Sequence, residues 1–193
     1  MSAHPADLLR VWLTEAREAG VRMPEAATLS TASAAGVPSA RTVSVKRIDE
    51  RGLAFGSSLR SRKAAELSVN PRGALTFWWE PAGRQVRAEG RMEEASREEA
   101  EEVWSERGRA NRLAAIVSRQ GEVLGDRRDL ESAYEQADAE HGEEIPCPSD
   151  WGVYRLVPNA VEFWQEDERR LIERELFTRT DEGEDWKRVL LYP

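Results

Sequence analysis

Five segments of this chain carry side chains able to do chemistry, and most of them offer positive charge, hydroxyls or amides. In Arg41 to Lys46 (RTVSVK), strand alternation puts Arg41, Val43 and Val45 on one face and Thr42, Ser44 and Lys46 on the other. Such a strand could present charge into a cleft, although an edge strand that carries Arg and Lys for solubility reads the segment slightly better. Ser57 to Lys63 (SSLRSRK) is a hydroxyl-rich, cationic turn leading into a short helix. Backbone N–H groups at a helix start, hydroxyl donors and cations together suit a phosphate dianion, while exposed turns often share that composition without binding anything. Arg84 to Arg87 (RQVR) follows Trp78 and Trp79, and a buried Gln85 could read the uracil-like edge of a ring ligand with one donor and one acceptor. The tryptophan pair reads as core and interface packing. Arg107, Arg109, Asn111, Arg112, Arg119 and Gln120 concentrate positive charge that could meet an anion, or could form a solvated helix face or a subunit contact. Finally, Glu162 to Gln165 (EFWQ) precedes Arg169 to Arg174, where one strand face would carry Arg170, Ile172 and Arg174 and let two guanidiniums converge. A surface strand of paired charges is the plain alternative.

Composition removes other chemistries. The net charge of -8 disfavours a nucleic-acid or membrane-surface partner, so any anion site must be a local pocket. Cys147 is the single cysteine and excludes an intramolecular disulfide framework, which fits a reducing compartment. With only His4 and His141, a zinc site of the common kinds lacks ligands and a Ser-His-Asp arrangement lacks a well-placed imidazole. An enzyme with this inventory would borrow a cofactor. No apolar stretch approaches the roughly 20 residues that span a bilayer, and the N-terminus lacks the order of a signal peptide, so a cytoplasmic protein is expected.

The elements that must position these residues fit one domain over 1–193. A helix is expected over 6–19, then three antiparallel strands between Ala27 and Phe55, a helix from Ser61 to Leu67, and a hairpin around Pro81-Ala82-Gly83. Ser96 with Glu99 forms a capping box that opens a helix reaching about Arg107, and helices dominate to residue 140. Four closing strands follow (GVYRLV, NAVEFWQ, RRLIERELFTRT and WKRVLLY), separated by Pro158, the acidic EDE and the turn DEGED. About eight short strands with grouped helices predict a mainly β, α+β fold: an antiparallel barrel with peripheral helices.

Taken in order, the segments resemble the pyridoxamine 5'-phosphate oxidase family, an FMN-binding split barrel. The resemblance runs from about Trp12 to Pro193. Its landmarks are R-x-V-x-x-K (Arg41 to Lys46), S-R-K (Ser61 to Lys63), Asn70-Pro71, R-Q-V (Arg84 to Val86), S-x-Q (Ser118 to Gln120), P-x-P-x-x-W-G (Pro146 to Gly152) and EFWQ. It implies that Arg41, Ser57, Arg62 and Lys63 hold the FMN phosphate and that Gln85, Gln120, Trp164 and Arg174 surround the ring. It further implies that Lys46, Arg107 and Arg170 meet an anionic substrate, with Arg170 and Arg174 the catalytic pair. Gly121 stands where a Ser commonly follows the Gln. Val103 stands where the family has a Tyr on the substrate phosphate, Asn111 where it has a Ser, and Ile172 where it has a His. The chain as given also begins too late to supply the family's long N-terminal arm. The resemblance thus implies hydride transfer to FMN, reoxidation by oxygen, a homodimer with FMN between subunits, and a remodelled substrate pocket. A phenazine-forming type of flavin oxidase acting on a reduced polycyclic acid, and a flavin- or haem-binding split barrel without turnover, are the rival readings.

Overall fold

The computed structural model describes residues 4–179 and 185–193. The first helix, α1 (Pro5–Glu18), buries Leu9, Leu13 and Ala16. Its N-cap is His4, whose Nδ1 accepts from the Ala6 N–H at 3.2 Å. Three strands follow, β1 (Ala26–Ala32), β2 (Pro38–Asp49) and β3 (Gly52–Ser58), then α2 (Arg62–Val69). A hairpin of β4 (Arg72–Trp79) and β5 (Arg84–Glu94) turns through a 3-10 segment, Glu80–Ala82. Its exit residue, Gly83, sits at φ 58, a left-handed position that glycine adopts at little cost. Helices α3 (Arg97–Ser105), α4 (Arg109–Val117) and α5 (Arg127–Glu140) are followed by β6 (Trp151–Gln165), β7 (Glu173–Thr178) and β8 (Lys187–Leu190).

The sheet runs β3-β2-β1-β4-β5-β6-β7-β8, and β3 also pairs β6, which closes six strands into an antiparallel barrel. Strand β6 makes the split. Its first part, Trp151 to Leu156, lies against β3, and its second part, Ala160 to Gln165, lies against β7. The expected fold class is therefore present, an α+β split barrel with peripheral helices. Because β2 lies between β1 and β3, the edge-strand reading of Arg41 to Lys46 is corrected.

The four expected closing strands are three among the described residues. Pro158 does not end a strand, because the register shift between Glu89 and Gly90 absorbs its missing N–H. Backbones there come so close that a Cβ on Gly90 would lie 2.1 Å from the Val157 carbonyl oxygen. The segment from Arg169 also becomes a strand only at Glu173. Asp167 Oδ1 accepts the N–H groups of Arg169 at 2.9 Å and Leu171 at 3.2 Å, and this local turn replaces strand pairing. Of the expected DEGED turn, 181–184 lie outside the described residues.

Two apolar clusters hold the fold. One fills the barrel, with Phe55, Phe77, Trp79 and Phe163 nearly fully buried. The other, with Ala54, Val103, Trp104, Leu113 and Trp151, glues α3, α4 and α5 to the outside of β3 and β6. Burying each large side chain in such a cluster contributes about 1.5–3 kcal/mol. Buried Arg155 pins α3 further by pairing with Asp49 at 2.9 Å and with Glu99. Among the described residues no helix is long and apolar enough to cross a membrane.

Candidate functional site

Where β2, β3, α2 and the α3–α4 junction meet, a cavity of about 440 Å³ opens to the surface. Arg41, Lys46, Lys63 and Arg107 line it, and among the described residues no aspartate or glutamate does. Hydroxyls from Ser44, Ser57, Ser58 and Ser118 and the amides of Asn111 and Gln120 complete its polar wall, with Trp151 on the apolar side. In a chain of net charge -8, an acid-free wall with four cations has the composition of an anion site.

Lys63 sits at its base, 6% exposed. The Nζ donates to Ser57 Oγ at 3.0 Å and to Gln120 Oε1 at 3.2 Å, both neutral. Burial, and then the nearby Arg41, push its ammonium below the ordinary lysine range. A buried cation with no carboxylate partner is a cost that an incoming anion would offset.

Arg41 leans away from solvent and donates to Thr31 Oγ1 and to Ser39 Oγ, with Glu66 Oε2 at 3.2 Å. Glu66, on α2, gathers this corner: hydrogen bonds from Ser39 and Thr31, with help from Arg62 and Arg41, hold its carboxyl down to about 2. Arg62 reaches Glu66 Oε1 at 2.8 Å and is 66% exposed, outside the cavity wall.

Arg107 lies just past α3. Its guanidinium stacks 5.2 Å from the ring of Trp151 and 5.6 Å from that of Trp104. Its Nη2 donates to the Asn111 carbonyl at 3.0 Å, and its Nε is buried without a hydrogen-bond partner. Burial lowers its pKa. Two indoles thus hold this cation, which has no carboxylate partner among the described residues.

Gln85, Trp164 and Arg174 do not line the cavity. They form a row across the outer face of the sheet: Trp78, Gln85, Trp164 and Arg174 are successive cross-strand partners on β4, β5, β6 and β7. Trp78 is half exposed and meets Trp164 edge-on at 5.9 Å, whereas Trp79 is core, donating to the Pro24 carbonyl at 2.9 Å. Arg174 Nε donates to Glu162 Oε1 at 2.7 Å and its Nη1 to the Tyr192 carbonyl at 3.0 Å.

The remaining expected positions divide. Asn111 and Lys46 line the cavity, but Val103 is buried in the second core cluster and packs behind it. Arg170 does not share a strand face with Arg174 as expected. It is exposed in the β6–β7 turn at φ 64, and Ile172 precedes β7, because the Asp167 turn holds this stretch out of the sheet. Arg109 is structural: it pairs with Asp138 at 2.6 Å and donates to the His141 carbonyl at the end of α5. Sequence reading assigned no role to Glu66, Glu162 or Trp151. The i,i+4 spacing of Arg62 and Glu66 was a usable signal for the first, whereas Trp151 and Arg107 are joined only by the fold.

The fold and site define a split-barrel protein with a cationic pocket and an amide-and-aromatic row on its outer sheet. Residues 13–141 match the family model described as pyridoxamine 5'-phosphate oxidase. Residues 151–193 match the pyridoxine 5'-phosphate oxidase C-terminal dimerisation region. The chain belongs to the pyridoxamine 5'-phosphate oxidase family, a family of oxidase-type enzymes. It is 41% identical over 189 residues to the pyridoxine/pyridoxamine 5'-phosphate oxidase of Thermosynechococcus vestitus, covering 98% of this chain and 89% of that protein. It is 42% identical to a probable pyridoxamine 5'-phosphate oxidase of Schizosaccharomyces pombe, covering 100% of this chain and 87% of the relative. Among solved structures it resembles PhzG from Burkholderia lata 383, in complex with tetrahydrophenazine-1-carboxylic acid, with a TM-score of 0.93 and 31% identity over 99% of this chain and 93% of the other.

Proposed function

We propose that this chain is an FMN-dependent oxidase of the pyridoxine/pyridoxamine 5'-phosphate type, working as a homodimer on a small anionic substrate with oxygen as electron acceptor. The observation that carries this reading is a cavity that no acid lines among the described residues, with Lys63 buried at its base on the neutral Ser57 and Gln120. Those groups fit a phosphate dianion: a buried ammonium, the Ser57 hydroxyl, and Arg41 nearby, while Arg62 lies outside the cavity wall, paired with Glu66. Gln120 would lie between the phosphate groups and the ring, which Gln85, Trp164 and Arg174 would meet with an amide edge, an indole and a guanidinium. A dimer lets both sets serve one ligand, since the outer row of one chain can face the pocket of its partner. The flavin, when bound, supplies the two-electron acceptor that takes a hydride from the substrate carbon and passes the electrons to oxygen, giving hydrogen peroxide.

The chain's own residues bind and orient. Lys46, Arg107 and Asn111 hold the substrate anion in place, and Arg170, presented by the β6–β7 turn, adds a further cation beside Ile172. Arg174 supplies positive charge at the ring. The resemblance puts a Ser, a Tyr and a His where this chain has Asn111 in the cavity wall, Val103 in the core behind it and Ile172 before β7, and these three positions would alter the substrate site. A lost hydrogen bond to a charged group is worth about 1.5–3 kcal/mol, enough to weaken binding of the vitamin phosphate by roughly tenfold or more. The likeness to PhzG favours a second reading, in which a reduced polycyclic acid is the substrate and Ile172 gives its ring apolar contact.

Anaerobic mixing of the FMN-loaded protein with pyridoxine or pyridoxamine 5'-phosphate should bleach the flavin, with peroxide appearing when air is admitted. Bleaching only by a reduced polycyclic acid would select the second reading. A flavin-loaded protein that no such donor bleaches would be a binding protein, and the proposal would be wrong.

A further inference from the structure

Glu162 is a carboxylate out of place. It lies on β6 on the face turned away from the barrel core, because its neighbours Val161 and Phe163 point inward, yet it is only 3% exposed. Side chains that share this face cover it. Arg87, its cross-strand partner on β5, donates from Nη2 to Oε2 at 2.8 Å. Arg174, from β7 on the other side, donates from Nε to Oε1 at 2.7 Å. Each oxygen of one buried carboxylate thus holds one guanidinium, and the three side chains carry a net charge of +1.

The two arginines are anchored differently. Arg87 has a second acid, Glu89, at 2.8 Å. Arg174 has Glu162 as its only ion-pair partner among the described residues; its other contact is the neutral Tyr192 carbonyl. Holding Arg174 by Nε and Nη1 fixes the plane of the guanidinium and leaves Nη2 for a ligand. A surface arginine without such anchors would sample many rotamers and lose entropy on meeting a ligand.

We infer that Glu162 is the positioning residue for Arg174, orienting its guanidinium towards the flavin ring and setting, jointly with Arg87, the net positive charge felt there. This rests on the reading that Arg174 faces the ring of bound FMN. Glu162 touches neither flavin nor substrate; it acts through Arg174. Removing its charge raises the local charge by one, and removing that of Arg87 lowers it by one. The two substitutions must therefore move a flavin midpoint potential in opposite directions, since positive charge favours the electron-rich reduced ring.

The test measures the midpoint potential of bound FMN in the parent protein and in Glu162→Gln, Arg87→Met and Glu89→Gln. The expected result is a positive shift in Glu162→Gln with faster FMN release, a negative shift in Arg87→Met, and a much smaller change in Glu89→Gln, whose carboxylate is half exposed and screened. If Glu162→Gln fails to fold, the sign of the Arg87→Met shift still decides. Unchanged potentials in folded, flavin-loaded variants, or shifts of the same sign, would overturn the inference and leave Glu162 a structural ion pair. Failure of the parent chain to bind FMN would instead sink the functional reading beneath it.

Discussion

Lys63 is a side chain whose burial costs stability and whose proposed role is to meet the phosphate of FMN. Its ammonium is buried on a serine and a glutamine, and burial lowers its pKa, so the charged form is disfavoured in the folded protein without a ligand. Lys63→Met should therefore leave the ligand-free protein as stable as the parent or more so, while FMN affinity falls roughly 10- to 150-fold, the loss of one hydrogen bond to a charged group. Thermal unfolding of the ligand-free protein and an FMN titration check the two halves, and a destabilised variant with unchanged affinity would refute the assignment. This residue was legible in the sequence because hydroxyls and cations crowd one short turn. The aim of Arg107 was not, since the indoles that hold it come from α3 and the start of β6. Glu162 was visible within EFWQ, but its two arginine partners exist only once β5, β6 and β7 are in register.

At the scale of elements, α2 is tied to β1 and β2 through one carboxylate. Glu66 accepts from Thr31 and Ser39 and pairs with Arg41 and Arg62. Its carboxyl is held at about 2, below the ordinary value of 4.5. A depressed carboxyl contributes stability that is fully present above the unfolded pKa and is lost as pH falls through the folded one. Stability should therefore decline between about pH 4.5 and 2 by up to about 3 kcal/mol from this group. Glu66→Gln should be less stable at neutral pH and lose little further across that window; denaturant melts at several pH values would show it, and parallel curves would refute it. The same scale explains what periodicity missed. Pro158 looked like a strand break, yet the bulge at Gly90 carries β6 through it. Arg170 to Ile172 looked like strand, yet Asp167 caps a turn that alternation cannot reveal.

For the whole molecule, the barrel and its helices followed from strand count, turn residues and the capping box at Ser96. Its closure through β6 did not, because one strand serving β3 on one part of its edge and β7 on another leaves no local pattern. The candidate ligand groups fall into a cationic pocket and an outer-face row, and the account's central claim is that one flavin uses both, drawn from two chains. The measurement that tests it most directly is a flavin absorbance titration with FMN of the parent, of Lys63→Met, of Arg174→Met, and of the two variants unfolded together and refolded as a mixture. The parent should bind about one FMN per chain, and each variant alone little at a concentration that saturates the parent. The mixture should recover about a quarter of the sites, because half of randomly paired dimers hold one intact site of two. A parent that binds no FMN, or a mixture that recovers nothing while it still forms mixed dimers, would contradict the account.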